Sequence, residues 1–224
     1  MKSQFINDLY ENVLEKLNQS DFEDRTNDRY AAMKYPGFLP MMRFSTKAFY
    51  VKGYGNVMLM RTNAMNGMMN LLTISFTPAE GKDIPYLLID CMGMKNKNLA
   101  YVEYYDCTGK ALKFDSLLKI REKYREIPDY TEKPAWYISE RMEGSMIKGG
   151  KGVEASGLSD MVNDSIAEYF RLVQNADSDP TNLTGLKNMR KRLLEEGNPS
   201  SGTMTKVLGR EGYTDFFQNY VMPI

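Results

Sequence analysis

The stretch IPYLLIDCMGMKNKNLAYVEYYDC, residues 84–107, holds the side chains of this sequence best placed to do chemistry. Two carboxylates, Asp90 and Glu103, stand inside apolar strand-like runs on either side of a polar KNKN segment. If residues 95–98 form the loop of a hairpin, the pairs are Asp90 with Glu103, Met92 with Tyr101, Leu88 with Tyr105 and Tyr86 with Cys107. Opposed residues share a face and successive residues alternate between faces. One face is then tyrosine-rich with two acids at its middle. The other, with Leu87, Ile89, Cys91, Ala100, Val102 and Tyr104, is a core face. Strands this apolar are covered on both sides, which leaves the acids poorly solvated. Burial and a like-charged neighbour both raise a carboxyl pKa, as a proton donor near neutral pH requires. A plainer reading of the same residues stays open, in which Glu103 meets solvent at a sheet edge and Asp90 caps a bulge or bonds a backbone amide.

Other residue types exclude other chemistry. The chain contains no histidine, which removes Ser-His-Asp and Cys-His nucleophiles, zincin motifs and a histidine-ligated haem. Two cysteines, Cys91 and Cys107, are too few for a thiolate zinc or iron–sulfur site, and no metal site is expected. The register puts Cys91 opposite Val102, about five steps of ~3.3 Å from Cys107 and on the other face. That separation excludes a disulfide and predicts two buried thiols in a reducing compartment. Acid–base work falls to Asp, Glu, Tyr, Lys or water. Methionine is abundant at 17 residues; its flexible thioether fills irregular core gaps and can also line a pocket for a large flat ligand.

Around that hairpin, apolar spacing over residues 5–17 predicts a one-faced helix, and 18–37 reads as a long polar loop. Strand-like runs at 41–52, 56–62, 70–77, 86–94 and 99–107 have short connections, which favours an antiparallel meander. The period then changes, with helices over 114–127, 158–173 and 183–194 and a final helical segment from Thr203 broken near Gly209. Five glycines between residues 139 and 159 mark a flexible loop. This order predicts one α+β domain over residues 1–224, a three-layer α/β/α sandwich whose central antiparallel sheet has about five to seven strands. With 29 Lys+Arg against 29 Asp+Glu the formal charge is zero, unlike a nucleic-acid binder. Nothing approaches ~18 consecutive apolar residues, and the amphipathic N-terminus is unlike a signal peptide. The expectation is a soluble, cytoplasmic chain without nucleic-acid or membrane partners.

At this hairpin the sequence resembles the ferredoxin-dependent bilin reductases, the group that includes red chlorophyll catabolite reductase. The matches run in order along most of the chain: the N-terminal helix, LLTISFTP with the loop AEGKDIP, PYLLIDCMGM like the family's Pro-x-x-x-x-Asp strand, LAYVEYYD, then MRKRLLEEGN and TMTKVLGREGYTDFFQNYVMPI. The resemblance implies a pocket between an antiparallel sheet and the C-terminal helices. By position it assigns Asp90 to the aspartate that protonates the bilin. Thr73 stands where some members have a pocket histidine, Arg61 where some have a glutamate, and Asn198 near a second acidic or amide residue. The proton relay of phycocyanobilin-forming members is therefore not reproduced, whereas the aspartate-only chemistry of other members stays open. Arg61, extending the Asp90 row with Thr73, reads either as an exposed strand arginine or as a clamp on a propionate.

The function so implied is reduction of a linear tetrapyrrole, with Asp90 catalytic and Arg61, Thr73, Met92, Tyr101, Glu103, Tyr105 and Asn198 binding substrate. No bound cofactor is implied; single electrons come from ferredoxin or flavodoxin. The sequence has no dinucleotide or Walker motif, since GGKG at 149–152 lacks the spacing. An acidic donor calls for a basic face, for which KIREKYR (119–125) and KNMRKR (187–192) are candidates. The alternative is a non-catalytic tetrapyrrole carrier of the same fold.

Overall fold

A computed structural model describes residues 4–35, 42–79, 81–179 and 183–224. Its centre is an eight-stranded antiparallel sheet. Five long strands form the hairpin ladder: β3 (Met42–Val51), β4 (Gly55–Ala64), β5 (Met69–Pro78), β6 (Tyr86–Met94) and β7 (Lys97–Tyr105). Residue 41, where the first sequence run begins, lies outside the described residues. Two three-residue strands, β1 (Phe22–Asp24) and β2 (Ala32–Lys34), pair end to end with β3, and β8 (Met146–Lys151) pairs with β7.

Helices cover both faces. Even-numbered side chains of β3, β4 and β6 share one face, here the even face, with odd-numbered ones of β5 and β7; the rest share the other, the odd face, because each pairing joins residues on one side of the pleat. The odd face packs Val57, Leu59, Leu72, Ile74, Leu87, Ile89 and Cys91 against α1 (Gln4–Asn18), α3 (Asp115–Lys123) and α4 (Ala155–Asn175). The even face packs Phe44, Met58, Met60 and Tyr86 against Tyr30 of α2 (Asp28–Ala31) and the C-terminal segments α5 (Thr184–Glu195) and α6 (Ser201–Phe216). Gly209 breaks α6 internally at φ 73°, ψ 169°, the break that the sequence indicates. The π-helical turn Phe217–Val221 then docks on the sheet, where the Val221 carbonyl accepts the Ser75 hydroxyl. The three-layer α/β/α expectation is met, but the sheet has eight strands rather than five to seven, because the short β1 and β2 and the glycine-rich β8 extend the five-strand ladder. Among the described residues no helix is long and apolar enough to cross a membrane.

Three local expectations are corrected. The hairpin turn spans two residues rather than four, so Asp90 opposes Tyr101 and Glu103 opposes Leu88. Lys97 and Asn98 continue the ladder, and the Asn98 amide donates to the Val153 carbonyl at 2.9 Å. Because the slip is two residues, every side chain keeps its face; Cys91 and Cys107 remain free and buried in different cores. Second, the polar stretch 18–37 contains β1, α2 and β2. Third, part of the glycine-rich region is the edge strand β8. A Cβ on Gly149 would lie 2.2 Å from the Asn98 carbonyl oxygen, so those glycines let β8 approach β7 closely.

Candidate functional site

Between the even face of the sheet and the α6 layer lies a cavity of about 530 Å³. Its sheet wall is built by alternation: Met58, Met60 and Thr62 from β4, Leu71 and Thr73 from β5, Tyr86, Leu88, Asp90 and Met92 from β6, and Tyr101 and Glu103 from β7. The opposite wall comes from Asn198, Ser200, Met204, Tyr213, Phe216 and Phe217, and the rim from residues 130–133 with Tyr137 and Arg141. The methionines serve both roles raised from the sequence, since Met58, Met60 and Met204 are core residues whose side chains also line the cavity.

Asp90 occupies the middle of this wall, flanked by Thr73 and Tyr101. The Thr73 hydroxyl donates to Asp90 Oδ1 at 2.5 Å. Burial raises the Asp90 pKa above the ordinary carboxyl value, and the Thr73 bond offsets part of that rise. The like-charge effect expected on Asp90 falls instead on its neighbour. Burial pushes Glu103 up to about 7 against the pull of Arg141, with the Asp90 charge adding to the rise. Burial likewise raises the phenols of Tyr86, Tyr101 and Tyr105, which stay neutral donors.

Glu103 is held by a network that the sequence does not reveal. Arg141 Nε donates to Glu103 Oε1 at 2.6 Å, and the Tyr105 hydroxyl donates to the same oxygen at 2.9 Å. The two Nη groups of Arg141 bind both oxygens of Glu132. Burial works against the Arg141 charge, but the bond to Glu132 and the charge of Glu103 overcome it and its pKa rises. Arg141 and Glu132 come from the connection between α3 and β8, where no periodic pattern marks them. The one signal available was indirect, since a buried acid needs a cation nearby.

The structure gathers Asp90, Thr73, Met92, Tyr101, Glu103 and Asn198 on one cavity. Asn198 donates to the Tyr213 hydroxyl at 2.5 Å and to the Leu193 carbonyl at 3.1 Å, fixing the turn before α6. Tyr105 is corrected: it lies buried beside the cavity rather than on its lining, with its hydroxyl on Glu103. Arg61 is corrected as well. It opposes Leu72 on the odd face, donates to Asn7 of α1 and lies over the Tyr10 ring at 4.7 Å, so it is placed neither with Thr73 nor as a clamp in this cavity. Of the basic runs, in 119–125 Lys123 pairs with Asp164 and Arg125 with Glu122 and Glu126, whereas Lys119 is exposed. In 187–192, Arg192 pairs with Glu140 and Glu196, whereas Lys187 and Lys191 are exposed.

The fold and cavity define a class: an antiparallel sheet between two helical layers, with a ligand-sized, largely apolar chamber floored by acids. No protein-family model and no curated protein matches the chain. Among solved structures it is similar to phytochromobilin synthase from tomato in complex with biliverdin. The TM-score is 0.79 at 11% identity, over 96% of this chain and 82% of that one. At that identity the likeness shows the fold.

Proposed function

We propose that this protein is an oxidoreductase that reduces a linear tetrapyrrole, taking electrons one at a time from ferredoxin or flavodoxin and a proton from Asp90. The observation that carries the reading is the Thr73–Asp90 pair on the floor of a chamber lined by methionine and aromatic side chains. Its volume lies within the range of small-molecule sites, and a chain of the same fold binds biliverdin. Burial favours the neutral acid in Asp90, and Thr73 engages only Oδ1, leaving Oδ2 to carry the proton. A protonated bilin accepts an electron more readily, so the acid assists the reduction it completes. Reducing one double bond consumes two electrons and two protons. The electrons come from the donor protein, and no organic cofactor is needed in the chamber. Lys187 and Lys191 on α5 supply positive charge for an acidic donor.

The test starts with a biliverdin titration followed by visible absorbance, then anaerobic addition of reduced ferredoxin. The expected result is binding with a spectral shift, followed by a two-electron product. Asp90→Asn keeps the size but cannot supply a proton. It should bind biliverdin and accept an electron, yet lose turnover by about 10²-fold. Binding without reduction by the wild-type protein would make it a carrier, and absence of binding would refute both readings.

A further inference from the structure

We propose that Glu103 is a second proton donor in this chamber, so that its wall stores the two protons that one double-bond reduction consumes. The inference rests on the reductase reading above and deepens it.

Charge counting is the first support. The chamber wall carries three carboxylates, Asp90, Glu103 and Glu132, and one buried guanidinium, Arg141. Lys133, the other cation on the wall, sits at the exposed rim. The remaining titratable groups bordering this space are Tyr86 and Cys91 from β6, Tyr101 from β7, Tyr130 and Tyr137 from the connection and Tyr213 from α6, with Tyr105 behind Glu103. Burial raises the phenols of Tyr86, Tyr101, Tyr105, Tyr137 and Tyr213 and the Cys91 thiol, which stay neutral. One guanidinium balances one carboxylate, and an unbalanced carboxylate away from water is costly. Two protons restore neutrality.

Hydrogen bonding says where those protons reside. Glu132 takes Arg141 on both oxygens, the fork geometry that best stabilises an anion. Glu103 receives Arg141 and Tyr105 on Oε1 alone, and among the described residues Oε2 accepts no hydrogen bond. Asp90 repeats the pattern, with Thr73 on Oδ1 and, among the described residues, no bond to Oδ2. Each of these two acids is therefore anchored by one oxygen and keeps the other for a proton, while Glu132 remains the counter-ion. Burial drives Glu103 in the same direction.

Asp90 opposes Tyr101, and Glu103 lies two residues further along β7 on the same face. Diagonal neighbours of this kind are roughly 7–8 Å apart. That spacing suits delivery to two positions of one conjugated system rather than to one atom. In balance, the bilin takes two electrons from the donor protein and one proton from each acid. Two C–H bonds form as the π system loses one double bond, and two carboxylates remain to be reprotonated from solvent.

The experiment is an anaerobic single turnover of biliverdin with reduced ferredoxin, followed by absorbance and electron paramagnetic resonance across the neutral pH range. Glu103→Gln should bind biliverdin within about 2-fold of wild type and form the first radical at the wild-type rate. It should then convert that radical to product about 10²-fold more slowly, and Glu103→Asp should recover part of the loss. Glu132→Gln leaves Arg141 wholly to Glu103. It should therefore move the alkaline limit of the second step to lower pH, an effect that a purely structural glutamate would not give. If Glu103→Gln fails to fold, this pH shift decides the matter, and its absence overturns the proposal. Completion at the wild-type rate by Glu103→Gln, or arrest before the first protonation as in Asp90→Asn, also overturns it. A wild-type protein that never reduces biliverdin refutes the reductase reading itself, and this role with it, before any variant is compared.

Discussion

Replacing Glu103 by Gln tests the electrostatics of the chamber without any ligand. The glutamate is buried, and its pKa rises from 4.5 in the ordinary case to about 7 in the fold. The folded state thus binds this proton more tightly than the unfolded chain does. Stability from this group is fully present below about pH 4.5, falls as pH rises through the window to about 7, and is flat above it. At about 1.4 kcal/mol per tenfold change in proton affinity, the loss approaches ~3 kcal/mol. Gln mimics the neutral acid, still accepts from Arg141 and Tyr105, and carries no penalty at high pH. Urea unfolding of both proteins on either side of the window should show wild-type stability falling relative to the variant by up to ~3 kcal/mol. Asp90, also raised by burial, contributes a fall of the same sign in both proteins. A wild-type-to-variant difference that does not change with pH would refute the reasoning.

Thr73→Val keeps the shape but removes the hydroxyl that favours the ionised Asp90. The Asp90-dependent limb of a turnover pH profile should therefore move to higher pH. Gly149→Ala places a methyl 2.2 Å from the Asn98 carbonyl and should cost more than about 2 kcal/mol in chemical denaturation, with early loss of β8 amide protection. Tyr30→Phe removes the bond to Asp215 that ties α2 to α6 and should lower stability by about 1 kcal/mol, read as a lower Tm. Cys91 and Cys107 are buried and their thiols raised, Cys107 to about 12; neither should react with a thiol reagent until the protein is denatured.

Much of this structure follows from short-range periodicity. The N-terminal helix, the five-strand meander and the α4 and α5 helices each bury one face, or both, and their residue spacing records it. Even the assignment of Asp90 and Glu103 to one face survives a misplaced turn, because a slip of two residues preserves the alternation. The same local rule fails for Arg61. Val57, Met58, Leu59 and Met60 are buried on both sides of β4, so no polar alternation marks which side holds the chamber, and pairing with Leu72 decides it. For β8, glycine spacing looks like a loop until a neighbouring backbone needs the room. The Arg141–Glu132 clamp lies beyond any local pattern. Its members are separated by eight residues, five of them in the 3-10 helix Trp136–Glu140, and meet Glu103 only when the whole connection folds back across the sheet. Amino-acid order thus determined the elements, the faces and the central acid. Long-range closure alone decided which partners surround that acid, and those partners fix where the protons reside.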